Sequence, residues 1–105
     1  MKRGGSSLEK QSAVEAACRL HHVERLELFG SALVSEADAR DYDFLVQLSE
    51  QSRGRLLEDF LGLADSLEGV LGKPVDLVTE RSLKNPYFRD SVMRQKKVVY
   101  ERAHS

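Results

Sequence analysis

Cys18 is the chain's single cysteine, so neither an internal disulfide nor a cysteine-based zinc site can form. Nor is there an apolar run approaching the ~20 residues that a membrane span needs. The opening residues MKRGGSSLEKQ are charged but have no apolar stretch behind them, so they do not read as a signal peptide. An excess of one charge is also lacking. The 16 basic residues meet 17 acidic ones for a net charge of −1, which removes bulk basicity as an argument for nonspecific nucleic-acid binding. There are no internal repeats, and the only low-complexity stretch is the Gly/Ser-rich start. Together these absences point to a soluble protein of a reducing, cytoplasmic setting, with no membrane association and no direct nucleic-acid binding.

What is there has the composition of an ordinary folded domain, 41% hydrophobic and 31% charged over 105 residues. A domain of this size hides roughly two-thirds of the surface of its extended chain. That suffices for a sheet covered on one face by helices, with little room for a separate substrate domain. Residues 1–7 read as a frayed tail and 8–105 as a single domain. Ser7 is placed to cap a helix over Leu8 to Leu20. Arg25 to Phe29 alternates as a strand with Leu26 and Leu28 on its apolar side, and Gly30-Ser31 ends it. Residues 32–40 form a loop or short helix. Tyr42 to Leu48 is so continuously apolar that it belongs in the middle of a sheet.

Ser52 to Gly72 has helical spacing at Leu56, Leu57, Phe60, Leu63, Ala64, Leu67, Val70 and Leu71, with Gly72 and Pro74 as stop signals. Val75 to Thr79 is a third strand, and Asn85-Pro86 opens a helix to about Gln95. Val98 to Glu101 is a short apolar end suited to an edge strand. The predicted class is therefore α/β (α+β): a small mixed sheet with helices mainly on one face.

Three acids stand out. Asp41 and Asp43 open the second strand and, by alternation, share one face with Cα atoms about 6.6 Å apart. Asp76 interrupts the third strand between Val75 and Leu77 and joins the pair if the two strands are neighbours. An acid within an apolar, buried strand needs a partner or a metal. Three carboxylates at close range resist full ionisation without a cation. Oxygen ligands alone suit magnesium, which binds through a few carboxylates plus substrate phosphates. Two such ions about 3.5–4 Å apart clamp both oxygens of a phosphoryl displacement. Asp-x-Asp by itself is also a common solvated strand end, and Asp76 makes the difference.

Leu28-Phe29-Gly30-Ser31 adds a strand that ends in a glycine turn. Glycine lets backbone approach a phosphate, and a helix beginning at Ser31 aims free N–H groups at an anion. The Ser31 hydroxyl offers one more hydrogen bond. Taken alone, Gly-Ser after a strand is usually just a turn.

In combination, Leu28-Phe29-Gly30-Ser31, Asp41-Tyr42-Asp43-Phe44-Leu45-Val46 and Val75-Asp76-Leu77-Val78 resemble the nucleotidyltransferase superfamily of DNA polymerase beta type. Within it they look like the minimal nucleotidyltransferases of prokaryotes, as do Asn85-Pro86 and Val99-Tyr100-Glu101, and the likeness runs from about Leu8 to Glu101. The resemblance implies a polymerase beta palm-like fold, ATP or another nucleoside triphosphate as substrate and two Mg2+ ions. It further implies that Gly30 and Ser31 hold the β- and γ-phosphates, that Asp41 and Asp43 bind the metals, and that Asp76 binds the metal at the incoming hydroxyl. The implied reaction transfers a nucleoside monophosphate to that hydroxyl. Members of this group often pair with a helical HEPN toxin, and the implied acceptor is a tyrosine of that partner.

The chain departs from the family where Ala32-Leu33-Val34-Ser35 replaces a stretch that is often Arg-Ala-Arg-Gly, and where Arg40 replaces a frequent Ser. Arg40 either supplies the missing positive charge or pairs with Asp38 on the surface. The departures raise the alternative of a catalytically degenerate antitoxin that neutralises a HEPN partner by binding alone. Transfer to a small molecule is a third option that the short chain disfavours. Other features read as structural: His21-His22 without a metal, Cys18 and Phe88 in the core, Lys96-Lys97 on a solvated face, and Tyr87 or Tyr100 at a protein interface.

Overall fold

The computed structural model describes residues 10–103, so the cap at Ser7, a helical start at Leu8 and the expected tail 1–7 lie outside the described residues. The chain runs α1 (Gln11–Leu20), β1 (Val23–Phe29), α2 (Ser31–Val34), β2 (Tyr42–Leu48), α3 (Leu56–Leu71), β3 (Val75–Val78), α4 (Pro86–Arg94) and β4 (Lys97–Glu101). Single 3-10 turns, Glu50–Ser52 and Glu80–Ser82, precede α3 and α4. The four strands form one mixed sheet in the order β3-β2-β1-β4. β1 is antiparallel to both β2 and β4, and β2 is parallel to β3. The apolar β2 is internal, as its sequence requires, and β4 lies at an edge.

Alternation along the strands divides the apolar side chains between two faces. Leu26 and Leu28 of β1, Phe44 and Val46 of β2 and Leu77 of β3 pack with Val14, Ala17 and Cys18 of α1 and with Leu63 and Leu67 of α3. This is the main core; burying a residue such as Phe44 contributes about 1.5–3 kcal/mol. Phe29, Leu45 and Val78 point the other way and meet Leu83 and Val92 in a smaller cluster under α4. Cys18 is fully buried, and burial pushes its thiol up to about 12, so it is an inert core residue.

Several boundaries differ from the sequence reading. β1 begins at Val23, because a register shift between Val23 and Arg25 lets Val23 and Leu26, three residues apart, both be buried. α3 begins at Leu56 rather than Ser52. Ser52 is instead fully buried, and its hydroxyl donates to Asp59 Oδ2 at 2.7 Å. With the helix displaced, Leu56 and Leu57 fall on the outside. α4 opens as expected, the Asn85 side chain accepting from the N–H groups of Tyr87 and Phe88. Phe88 is 50% exposed rather than core, since α4 turns Val92 toward the sheet. Lys96 is not on a solvated face: its ammonium is 2.5 Å from Glu27 Oε2, and Glu27 is buried on the α4 side of β1. Tyr87 is exposed, while Tyr100 is partly buried against the main core.

The two histidines fasten the α1–β1 turn to α3. His21 Nε2 lies 3.0 Å from Ser66 Oγ, and His22 Nδ1 lies 3.1 Å from Asp59 Oδ2. Burial opposes charge on Asp59, but hydrogen bonds from Ser52 and His22 and the charges of His22 and Arg55 outweigh it and hold the carboxyl below its usual range. An acid depressed in this way stabilises the fold above about pH 3.9, and the gain is lost as pH falls through its lower folded value. Asp59→Asn is therefore expected to destabilise the protein at neutral pH by about 2 kcal/mol in chemical denaturation. The deficit should shrink below about pH 4. A deficit that stays constant through acidification would rule out charge as the source of the clasp.

Candidate functional site

β1 delivers the chain to Gly30, whose φ of +80° is open to glycine at little cost. A Cβ at this position would lie 2.3 Å from Asp43 Oδ2 and 3.1 Å from Asp43 Cγ. The backbone turn thus presses directly on a carboxylate. β2 holds Asp43 between two register partners, Phe29 on β1 and Asp76 on β3. The parallel pairing sets Asp43 and Asp76 side by side on the face turned away from α1 and α3. Asp41 stands one residue before β2 and is exposed. Asp76 is also exposed, not buried as its apolar flanks suggest, because β3 is a four-residue edge strand.

Electrostatics links the three acids. The Asp43 carboxyl is raised above its ordinary value, first by burial, then by the charge of Asp41 and then by that of Asp76. Among the described residues, no group of three or more His, Cys, Asp or Glu side chains is gathered closely enough to hold a metal ion by itself. The arrangement is an open row of carboxylates. An all-oxygen donor set of one or two carboxylates, completed by waters and substrate phosphates, fits magnesium and does not fit a closed zinc site.

Beside this row lies a cavity of about 400 Å3, walled by Gly30, Ser31, Asp43 and Asp76 on one side and by α4 on the other. Among the described residues no Lys or Arg lines it, and Asp41 stands outside its wall. α2 is a single turn, and the Ser31 hydroxyl has no hydrogen-bond partner among the described residues. A second cavity of about 430 Å3 lies on the same sheet face beyond α4. Its acids are already paired, Glu27 with Lys96 and Glu80 with Arg89, which leaves no carboxylate there for a cation.

The loop that carries Asp41 is tied down from outside. Lys73 Nζ donates to the carbonyls of Glu36 at 2.6 Å and Ala39 at 2.8 Å, and it sits 5.8 Å above the Tyr42 ring. The Tyr42 hydroxyl donates to Glu36 Oε2 at 2.7 Å, and its N–H donates to the carbonyl of Pro74. Sequence reasoning passed over Lys73, for a lysine just after a helix-ending glycine has no distinguishing mark. Arg40 takes neither anticipated role. It does not line the cavity, and Asp38 accepts from the Ser35 hydroxyl instead. The α4 wall was also missed, because its residues at the cavity are three and four apart on a helix read only for its cap.

Residues 11–105 match the family described as Polymerase beta, Nucleotidyltransferase. A protein of Methanocaldococcus jannaschii named "Putative protein adenylyltransferase MJ1379" is 36% identical over 73 residues, which is 69% of this chain and 72% of that one. A solved structure described as "Structure of putative minimal nucleotidyltransferase" is 39% identical, with a TM-score of 0.63, over 82% of this chain and 85% of that one. Another, described as a toxin-antitoxin with AMP-PNP, shares the fold at 24% identity and a TM-score of 0.61, over 90% of this chain and 75% of that one. The chain belongs to the polymerase beta nucleotidyltransferase family, in its minimal nucleotidyltransferase branch. It is accordingly a nucleotidyltransferase, and the α/β fold with a mixed four-stranded sheet is the one expected.

The geometry has two measurable consequences. Gly30→Ala forces a side chain into Asp43 at a positive φ and is expected to cost about 1–3 kcal/mol in chemical denaturation. Ionising Asp43 costs more in the folded chain than in the unfolded one, so stability falls as pH rises from about 3.9 through the higher folded value. In metal-free buffer, Asp43→Asn is therefore expected to raise the thermal midpoint at neutral pH and to leave it unchanged in acid. A lowered midpoint at neutral pH would contradict the crowding of charge.

Proposed function

We propose that this chain transfers AMP from ATP to a protein hydroxyl, a tyrosine of a HEPN-family helical partner, and thereby acts as that partner's antitoxin in the cytoplasm. The observation that carries the reading is the side-by-side registration of Asp43 and Asp76 against the Gly30 turn. Asp41 and Asp43 hold magnesium, and Gly30 and Ser31 take the β- and γ-phosphates. The bound metal neutralises phosphate charge and polarises the reacting phosphorus.

Asp76, exposed on an edge strand and open to an approaching side chain, orients the incoming hydroxyl and accepts its proton. A bond forms between the acceptor oxygen and the α-phosphorus, the bond between the α- and β-phosphates breaks, and pyrophosphate leaves. Positioning and charge neutralisation supply the catalysis, since the chain itself forms no covalent intermediate. A protein acceptor brings its own hydroxyl to the exposed Asp76. It agrees with the adenylyltransferase named among the relatives and with the toxin-antitoxin complex among the fold neighbours.

A specific observation favours a second reading, neutralisation by binding alone: among the described residues no basic side chain lines the cavity to meet a triphosphate. Labelled ATP, magnesium and the HEPN-family helical partner distinguish the two. The enzyme should label the partner, and Asp43→Asn or Asp76→Asn should reduce labelling by about a hundredfold or more and abolish neutralisation. Intact neutralisation by Asp43→Asn without labelling would establish binding alone.

A further inference from the structure

The α4 wall of the cavity remains without a role in that reading. Phe88 and Ser91 of α4, one helical turn apart, and Gln95, which caps the helix at its C-terminal end, all line the cavity opposite Asp43 and Asp76. The Phe88 ring stands edge-on to Phe29, with centroids 6.3 Å apart and planes at 70°. One aromatic contact therefore supports it from below while half of its surface stays open. The Gln95 main chain is held by its N–H, which reaches the carbonyls of Ser91 and Val92, both at 3.2 Å. Its side-chain amide is exposed and makes no hydrogen bond among the described residues. The cavity thus has an acidic, glycine-edged end suited to metal and phosphates and, facing it, an aromatic ring beside an unused amide.

We infer that α4 is the nucleoside wall of the site, with Phe88 stacking the base and Gln95 selecting adenine over guanine. This rests on the proposed nucleotidyl transfer and names its nucleotide from the protein's own groups. A cavity of about 400 Å3 is of a size that holds small ligands, about 300–1,000 Å3. Every base has a π-face, so Phe88 supplies affinity without choice. The choice comes from hydrogen bonding. Adenine sets its N6 donor beside its N7 acceptor, which one carboxamide matches with its own acceptor and donor. Guanine sets two acceptors, O6 and N7, side by side and calls for two donors such as an arginine provides. Among the described residues no arginine or lysine lines this cavity. Gln95 is thus a specificity residue, and Phe88 a binding residue.

The test is calorimetric titration of the full chain, in magnesium, with non-hydrolysable ATP and GTP analogues and with inorganic tripolyphosphate. The wild type should bind the adenine analogue about tenfold more tightly than the guanine one, and Gln95→Ala should bring the ratio close to one. Phe88→Ala should weaken both nucleotides by about tenfold to a hundredfold, the loss falling on nucleotide and not on tripolyphosphate. Phe88→Leu, which keeps apolar contact with Phe29 but cannot stack, should show the same selective loss and so separates stacking from misfolding. Binding of tripolyphosphate and nucleotides without base preference, or a preference untouched by Gln95→Ala, overturns this inference alone. Binding of none of the three overturns the transferase reading together with it.

Discussion

Parallel registration of β3 on β2 is the constraint from which the site follows. It sets Asp76 beside Asp43 and obliges two like charges to share one patch of sheet next to a glycine turn. Such pairing opposes stability when both groups are ionised, and it adds to the burial and the Asp41 charge that already raise the Asp43 carboxyl. A protein shaped only for stability would place an apolar pair there, as it does one step further along with Phe44 and Leu77. The strain is local and electrostatic, and a cation with a polyphosphate is the kind of ligand that relieves it.

The rest of the molecule keeps this row in place. The main core lies on the opposite face, where α1 and α3 cover the sheet, so the acid-bearing face is left to a smaller cluster under α4. Lys73 and Tyr42 hold the loop that leads to Asp41, and the His22–Asp59–Ser52 contacts fix the start of α3 against the α1–β1 turn. Each of these tethers uses buried or half-buried polar groups that satisfy one another, which is how a chain of this size makes rigid loops without more apolar surface. α4 then divides the open face into two cavities, one beside the carboxylates and one beyond, where the acids are already neutralised by Lys96 and Arg89.

Much of this was legible in the residues themselves. The apolar run of Tyr42–Leu48 marked an internal strand, Asn85-Pro86 marked the start of α4 and Gly72 marked the end of α3, because each reflects a local rule of burial or capping. The boundary errors fell where a tertiary contact overrode such a rule. Ser52 left the helix to bond Asp59, Val23 joined β1 through a register shift, and Phe88 gave up the core to Val92. Lys96 was misjudged for the same reason, since its partner Glu27 lies far away in the chain.

Sequence alone determined that Asp43 would stand on an apolar strand, with Asp41 just before it, and that Gly30 would permit a turn that no other residue takes at little cost. Tertiary structure alone decided that Asp76 joins them, that Gly30 abuts Asp43, and that Phe88 and Gln95 face the same space. Those relations depend on the strand order, on the direction of β3 and on where α4 lands. These are settled by how the whole sheet buries its apolar faces, and no short stretch of residues encodes them.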